Sequence, residues 1–201
     1  MTEDEPKGGL LDQNGYPITN LPERGLVRRV ADWASARSMW LLWYCTGCGA
    51  VELPPCFTSR YDMERYGIGP MATPRQADIF LITGYLSVKT LKRVVRSYEQ
   101  MQDPKYVLGH GSCTIDGGMY WDSYATIKDV GLYIPVDLYI AGCMPRPEAI
   151  FHTFEKLQEM IKKGEAVGWK RYKDNYEFYR NNQDQVFKRG PNWALEEPVL
   201  K

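Results

Sequence analysis

Apolar residues recur along this chain in two rhythms. From Glu23 to about Trp43, the positions Leu26, Val30, Trp33, Ala34, Arg37, Trp40 and Leu41 fall at spacings of three and four, with Arg24, Arg28 and Arg29 mostly off that line. The spacing predicts an amphipathic helix that packs on its own domain, on a partner or near a membrane surface. Three short apolar runs follow, Ala77 to Thr83, Tyr106 to Gly109 and Val136 to Gly142, each closed by glycine or a polar loop. Such runs read as buried parallel strands. Between the first two, Val88 to Gln100 places Leu91, Val94, Val95 and Tyr98 at helical spacing. After the third, Pro145 to Lys163 opens with prolines and Glu148 in its first turn, then continues with Ile150, Phe154, Leu157, Met160 and Ile161. The alternation predicts an α/β fold, an open parallel sheet with helices on both faces and functional loops at the carboxyl ends of the strands.

The ends of the chain read differently. Residues 1 to 22 are rich in Gly and Pro and form an expected extended arm; Gly164 to Lys201 is polar and Tyr-rich, with no helical period, and is expected to extend over partners. The organisation expected is residues 1–44 as arm and amphipathic helix, 45–163 as the central domain, and 164–201 as a C-terminal extension. A length of 201 residues suits one core. Lys plus Arg and Asp plus Glu are 25 each, so no global basic field is present to hold nucleic acid. Met39 to Cys45 is the longest strictly apolar run and is too short to span a bilayer. The acidic start Met-Thr-Glu-Asp-Glu-Pro is unlike a signal peptide, so the expectation is a soluble, intracellular protein. Aromatic residues at 13% exceed what a small core hides and point to a protein partner.

The five cysteines change the picture. Their odd number and the intracellular reading argue for reduced thiols rather than disulfides. Cys45 and Cys48 form C-T-G-C after the amphipathic helix, Cys113 lies in G-H-G-S-C after the second strand, and Cys143 lies in A-G-C-M-P-R-P after the third. Loops at strand carboxyl ends converge, so four thiols remote in sequence can meet at one point. Thiolates suit zinc or an iron–sulfur cluster. Structural zinc commonly takes two close-spaced pairs, whereas here one pair joins two single cysteines, so a cluster fits better. Gly47, Gly49, Gly109, Gly111 and Gly142 would let backbone N–H groups approach its sulfur. Cys56 in L-P-P-C-F reads as a buried packing residue, with replacement of Cys45 as ligand as its alternative. A cysteine hydrolase would need a histidine in reach, and His110 and His152 carry no supporting signature. Flavin binding finds only the weak loop G-Y-L-S-V after the first strand.

Longer segments carry a resemblance: C-T-G-C-G-A-V-E-L, R-Y-D-M-E-R-Y-G-I, T-P-R-Q-A-D-I-F-L-I-T-G, Y-E-Q-M-Q-D-P-K-Y-V-L, G-S-C-T-I-D-G-G-M and I-P-V-D-L-Y-I-A-G-C-M-P-R-P-E-A-I. Over residues 45 to about 160 the chain resembles the iron–sulfur small subunit shared by respiratory complex I, its B or 20 kDa subunit, and by membrane-bound hydrogenase-type complexes. Complex I members carry tandem cysteines, where this chain has Cys48-Gly49 and a cysteine at Cys45 instead, so it is more similar to the membrane-bound hydrogenases and their sulfane sulfur reductase relatives. Leu53, Pro54 and Pro55 stand where the complex I family lines its quinone cavity, which puts quinone binding in doubt.

The resemblance implies a flavodoxin-like fold with one [4Fe-4S] cluster on Cys45, Cys48, Cys113 and Cys143. It also implies that Glu52 and Arg75 lie near the cluster or at an interface with another subunit, with a backbone cap and an ordinary ion pair as their bland readings. His110 beside Cys113 is a candidate ligand, proton donor or neighbour of the cluster, and reads first as a hydrogen-bonded structural histidine because four cysteines complete the cluster. The implied role is electron transfer from ferredoxin-linked clusters to an active site at the boundary with a hydrogenase-like large subunit. The implied setting is an ion-translocating complex with a ferredoxin-like iron–sulfur subunit and antiporter-like membrane subunits, peripheral on the cytoplasmic side of the cell membrane. The complex I counterpart, in NADH- or F420H2-quinone oxidoreductases, is the alternative within the family, and a zinc-stabilised scaffold protein the alternative without redox chemistry.

Overall fold

The structure, a computed structural model, describes residues 25–187. The expected arm over residues 1–22 and the last part of the C-terminal extension, 188–201, lie outside the described residues. In chain order the elements are α1 (Leu26–Ser35), β1 (Met39–Cys45), α2 (Gly49–Phe57), β2 (Ile68–Pro70), β3 (Ile79–Thr83), β4 (Leu86–Ser87), α3 (Val88–Gln100), β5 (Tyr106–His110), α4 (Ser112–Ile115), β6 (Thr126–Ile127), β7 (Leu138–Ile140), α5 (Pro147–Lys163), α6 (Gly168–Asp174) and α7 (Tyr176–Phe187).

Five strands form one parallel sheet in the order β2-β1-β3-β5-β7, while β4 and β6 make a separate antiparallel pair. Counting the sheet strands in chain order gives 2-1-3-4-5, the flavodoxin-like arrangement, whose switch point lies between β1 and β3. β3 is buried at all five positions, so its alternation shows only in which layer each side chain meets. Ile79 and Leu81 join Leu41, Leu108, Leu53, Ile150, Phe154 and Leu157 in a core under α2 and α5. Phe80 and Ile82 join Val107, Leu91, Val94 and Tyr98 in a second core under α3. A reciprocal cap starts α3, the Thr90 backbone N–H donating to the Ser87 hydroxyl at 3.2 Å and the Ser87 N–H to the Thr90 hydroxyl at 3.0 Å.

Two stretches depart from expectation. The second half of the predicted amphipathic helix is β1, an internal strand paired with β2 on one side and β3 on the other. Met39 to Cys45 is seven residues without a charge, and such a run loses less by lying in a sheet than on a solvated helix face. The helix itself stops at Ser35. The extension expected to lack helical period carries α6 and α7, which close the second core with buried Tyr172 and Tyr179. Buried Gln183 fastens α7, its Nε2 donating to the Tyr133 carbonyl at 2.7 Å. Among the described residues no helix is long and apolar enough to cross a membrane.

Candidate functional site

Four strands of the sheet end in line. Cys45, the last residue of β1, pairs with Thr83 of β3, Thr83 with His110 of β5, and His110 with Ile140 of β7. The loops that follow therefore leave one edge together, at the switch point where open α/β sheets bind their ligands. Backbone bonds tie these loops in pairs. Thr46 donates its N–H (3.1 Å) and its hydroxyl (2.9 Å) to the Thr83 carbonyl, and the same hydroxyl reaches the Tyr85 carbonyl. Gly111 N–H donates to the Ile140 carbonyl at 2.8 Å and Ser112 N–H to the Gly142 carbonyl at 2.9 Å.

The result is a solvent-open cleft walled by Cys48, Cys113 and Cys143, with His110, Met119 and Tyr120 beside them and a cavity volume of about 60 Å³. Cys113 is the most enclosed of the three thiols. Burial pushes its pKa up and Cys143 adds to this, the Met119 backbone N–H pulls it down, and Cys48 raises it again. A deprotonated, ligating sulfur at this position therefore has a backbone donor already placed against it. Gly118, at φ +52°, makes the turn that brings that donor in; a Cβ there would stand 3.1 Å from the Cys113 sulfur and 2.9 Å from its nitrogen. At the opposite wall Gly49 opens α2, where a Cβ would stand 2.4 Å from Thr83 Cβ.

The sequence-predicted residues divide into three groups. Cys48, Cys113, Cys143 and His110 come together in the cleft. Cys45 ends β1, exposed and with a free thiol, next to that edge but not in the cleft wall. Cys56 lies in the first core, its thiol donating to the Glu52 and Pro147 carbonyls at 3.6 and 3.8 Å, and burial first, then Glu52 and Glu148, push its pKa to about 11. That is a packing residue, as expected. Glu52 is half-buried in α2 outside the cleft wall. Arg75 is exposed in the turn Pro74–Gln76 that precedes β3, at the amino edge of the sheet, away from the cysteine loops. His110 is 2% exposed and its ring takes part in a backbone hydrogen bond, while its Nε2 has no hydrogen-bond partner among the described residues. Sequence reasoning missed the apolar rim of Tyr85, Met119, Tyr120 and Met144. The Gly117-Gly118 turn just before Met119 was the available signal.

Cys48, Cys113 and Cys143 line one cleft, and thiolates are ligands that suit zinc or an iron–sulfur cluster. Among the described residues no three His, Cys, Asp or Glu side chains are gathered closely enough to hold a single metal ion. Four thiolates on one Zn²⁺ at about 2.3 Å each would have to sit nearly in contact. Thiolates that each bind a different iron stand further apart, around a body that fills the space between them.

A parallel sheet of this order, with cysteines brought from separate loops to its carboxyl edge, defines a flavodoxin-like domain. Residues 45–157 match the model of the NADH ubiquinone oxidoreductase 20 Kd subunit family, and the chain belongs to that family. The B subunit of the NADH-quinone oxidoreductase of Chlorobium phaeobacteroides is 45% identical over 137 residues, 68% of this chain and 72% of that protein. The K subunit of the chloroplastic NAD(P)H-quinone oxidoreductase of Fagopyrum esculentum subsp. ancestrale is 41% identical over 155 residues, 77% of this chain and 66% of that protein, slightly under two thirds of its length. Among solved structures, a chain of the membrane-bound sulfane sulfur reductase, an archaeal respiratory membrane complex, matches with a TM-score of 0.76 at 57% identity. That match covers 86% of this chain and 96% of the other.

Proposed function

We propose that this chain is the electron-transfer subunit of a membrane-bound, ion-translocating respiratory oxidoreductase and holds one [4Fe-4S] cluster through Cys45, Cys48, Cys113 and Cys143. The observation that carries the reading is the convergence of Cys48, Cys113 and Cys143, from three loops far apart in sequence, on a single cleft also lined by Gly47, Gly49, Gly84, Gly111 and Gly142. Cys45, free at the end of β1, is the fourth donor. Such a cluster, when bound, accepts and releases single electrons. The chain's own residues supply the rest. The Met119 N–H stabilises charge on the Cys113 sulfur, and Tyr85, Met119, Tyr120 and Met144 form an exposed apolar rim around the site. The rim continues outward as exposed Trp121 and Tyr124, an aromatic surface suited to a partner protein.

In this reading, electrons arrive from a ferredoxin-like iron–sulfur subunit and leave to a site shared with a hydrogenase-like large subunit, and antiporter-like membrane subunits anchor the assembly to the cytoplasmic face of the membrane. A sulfane sulfur or polysulfide acceptor is favoured over quinone by the 57% identity to the sulfur reductase chain, against 41–45% to the quinone oxidoreductase subunits. Leu53, Pro54 and Pro55 in α2 support the same choice.

The test is iron, acid-labile sulfide and electron paramagnetic resonance on the assembly purified without oxygen. Cys113→Ser and Cys143→Ser are expected to lose this chain's signal together with its iron. Unchanged signal and iron in both variants would end the cluster reading, and reduction of quinone but not polysulfide by the intact assembly would end the choice of acceptor.

A further inference from the structure

β5 ends in a histidine between Thr83 and Ile140 of the neighbouring strands. By strand alternation the His110 ring lies on the face of Tyr106 and Leu108, under the start of α2. There a Cβ on Gly49 would come within 2.9 Å of its Nδ1. His110 lines the same cleft as Cys48 and Cys113, and the residue is 2% exposed. Burial lowers its pKa and a backbone hydrogen bond to the ring opposes this, so the uncharged imidazole is favoured; the tautomer that matters here carries its single N–H on Nε2. The Thr83 hydroxyl beside it donates to the Tyr44 carbonyl at 3.2 Å, whereas His110 Nε2 is buried without a partner among the described residues. A buried imidazole nitrogen left unpaired is unfavourable, and the walls of this cleft are chiefly carbon and glycine backbone. The cysteines that share this lining, Cys48, Cys113 and Cys143, offer sulfur as an acceptor.

We propose that His110 donates its ring N–H to sulfur held in the cleft, a cluster sulfide or the Cys48 thiolate, and thereby raises the reduction potential of the centre. The inference rests on the cluster reading above. Adding an electron increases negative charge on the sulfur cage, so a fixed donor favours the reduced form over the oxidised one. His110 is then a potential-setting residue rather than a ligand or a packing residue.

The experiment uses the anaerobically purified assembly with His110→Leu, His110→Gln and, separately, Cys45→Ser. It measures iron content and the midpoint potential by resonance-monitored titration at one pH. His110→Leu is expected to keep its iron and to shift the reduction equilibrium about tenfold toward the oxidised form, 59 mV for one electron. His110→Gln, which retains an N–H donor, is expected to stay near the wild-type potential. A wild-type potential in His110→Leu overturns the proposal. Should that variant fail to assemble, His110→Gln decides: near-wild-type supports the proposal and a tenfold shift overturns it. Loss of iron in both histidine variants with retention in Cys45→Ser would make His110 a ligand and also overturn it. Absence of iron from the wild-type assembly would instead remove the cluster reading itself, which the iron analysis distinguishes from a failure of His110 alone.

Discussion

Replacing Gly49 by alanine tests whether the cleft depends on the seat of α2. The new Cβ would lie 2.4 Å from Thr83 Cβ, 3.0 Å from Thr83 Cγ2 and 2.9 Å from His110 Nδ1. Carbon atoms rest about 3.5–4.0 Å apart, so the overlap exceeds about 1 Å. Thr83 has nowhere to retreat, being fully buried on a central strand with a branched, stiff side chain. The first turn of α2 must lift instead, carrying Cys48 with it. Overpacking of this kind costs about 1–3 kcal/mol, or roughly 2–12 °C at about 2–4 °C per kcal/mol for a chain of this size. A ligand moved by about 1 Å also leaves its site too loose for tight binding. Gly47→Ala is the control two residues away, where a Cβ would meet Gly84 Cα at 3.6 Å and Tyr85 Cδ1 at 3.8 Å, ordinary contacts. Iron content and the temperature at which visible absorption is lost, measured on anaerobic assemblies, should fall for Gly49→Ala and hold for Gly47→Ala. Equal behaviour of the two variants would refute the claim that the cleft is set by this contact.

Other parts of the fold make separate demands. Burial pushes the Asp137 carboxyl up to about 6 against the N–H donors of Val107 (2.9 Å) and Gly168 (3.0 Å) and the charge of Arg171, all of which pull it down. With its folded pKa above the unfolded value of 3.8, this group favours folding below pH 4 and takes away up to about 3 kcal/mol as pH rises through 6. Asp137→Asn should flatten that part of the stability curve in pH-dependent melts, and an unchanged slope between pH 4 and 6 would count against it. Cys56→Ala should leave iron and potential unchanged while lowering stability by roughly 1–2 kcal/mol; loss of iron would make Cys56 a ligand after all. Gln183→Ala removes the fully buried donor to the Tyr133 carbonyl and should loosen α7 by about 1–3 kcal/mol. The sign would be faster proteolysis within residues 164–187, and wild-type resistance would show that aromatic packing alone holds the helix.

Why some of this was legible in the chain, and some was not, follows from what each segment buries. β3, β5 and β7 could be read because a strand covered on both faces is a short apolar run closed by a loop, and α3 and α5 because each buries a single stripe. β1 escaped because Trp40 and Leu41 continue the helical spacing of Leu26, Val30 and Trp33. Exposed Trp40 and Trp43 also make an internal strand look like a solvated stripe. The last two helices escaped because their buried side chains are Tyr172, Tyr179 and Gln183, and residues with polar ends were counted as surface. The same facts bear on the site. Reading β1 as helix hid that Cys45 ends a strand in register with Thr83 and His110, so only Cys113 and Cys143 stood at strand ends on paper. Strand direction would have separated Arg75 at once, since a residue ahead of β3 belongs to the amino edge. The unpaired nitrogen of His110 had no sequence signal, because it depends on how closely Gly49 lets α2 approach the end of β5, a property of two backbones rather than of either residue.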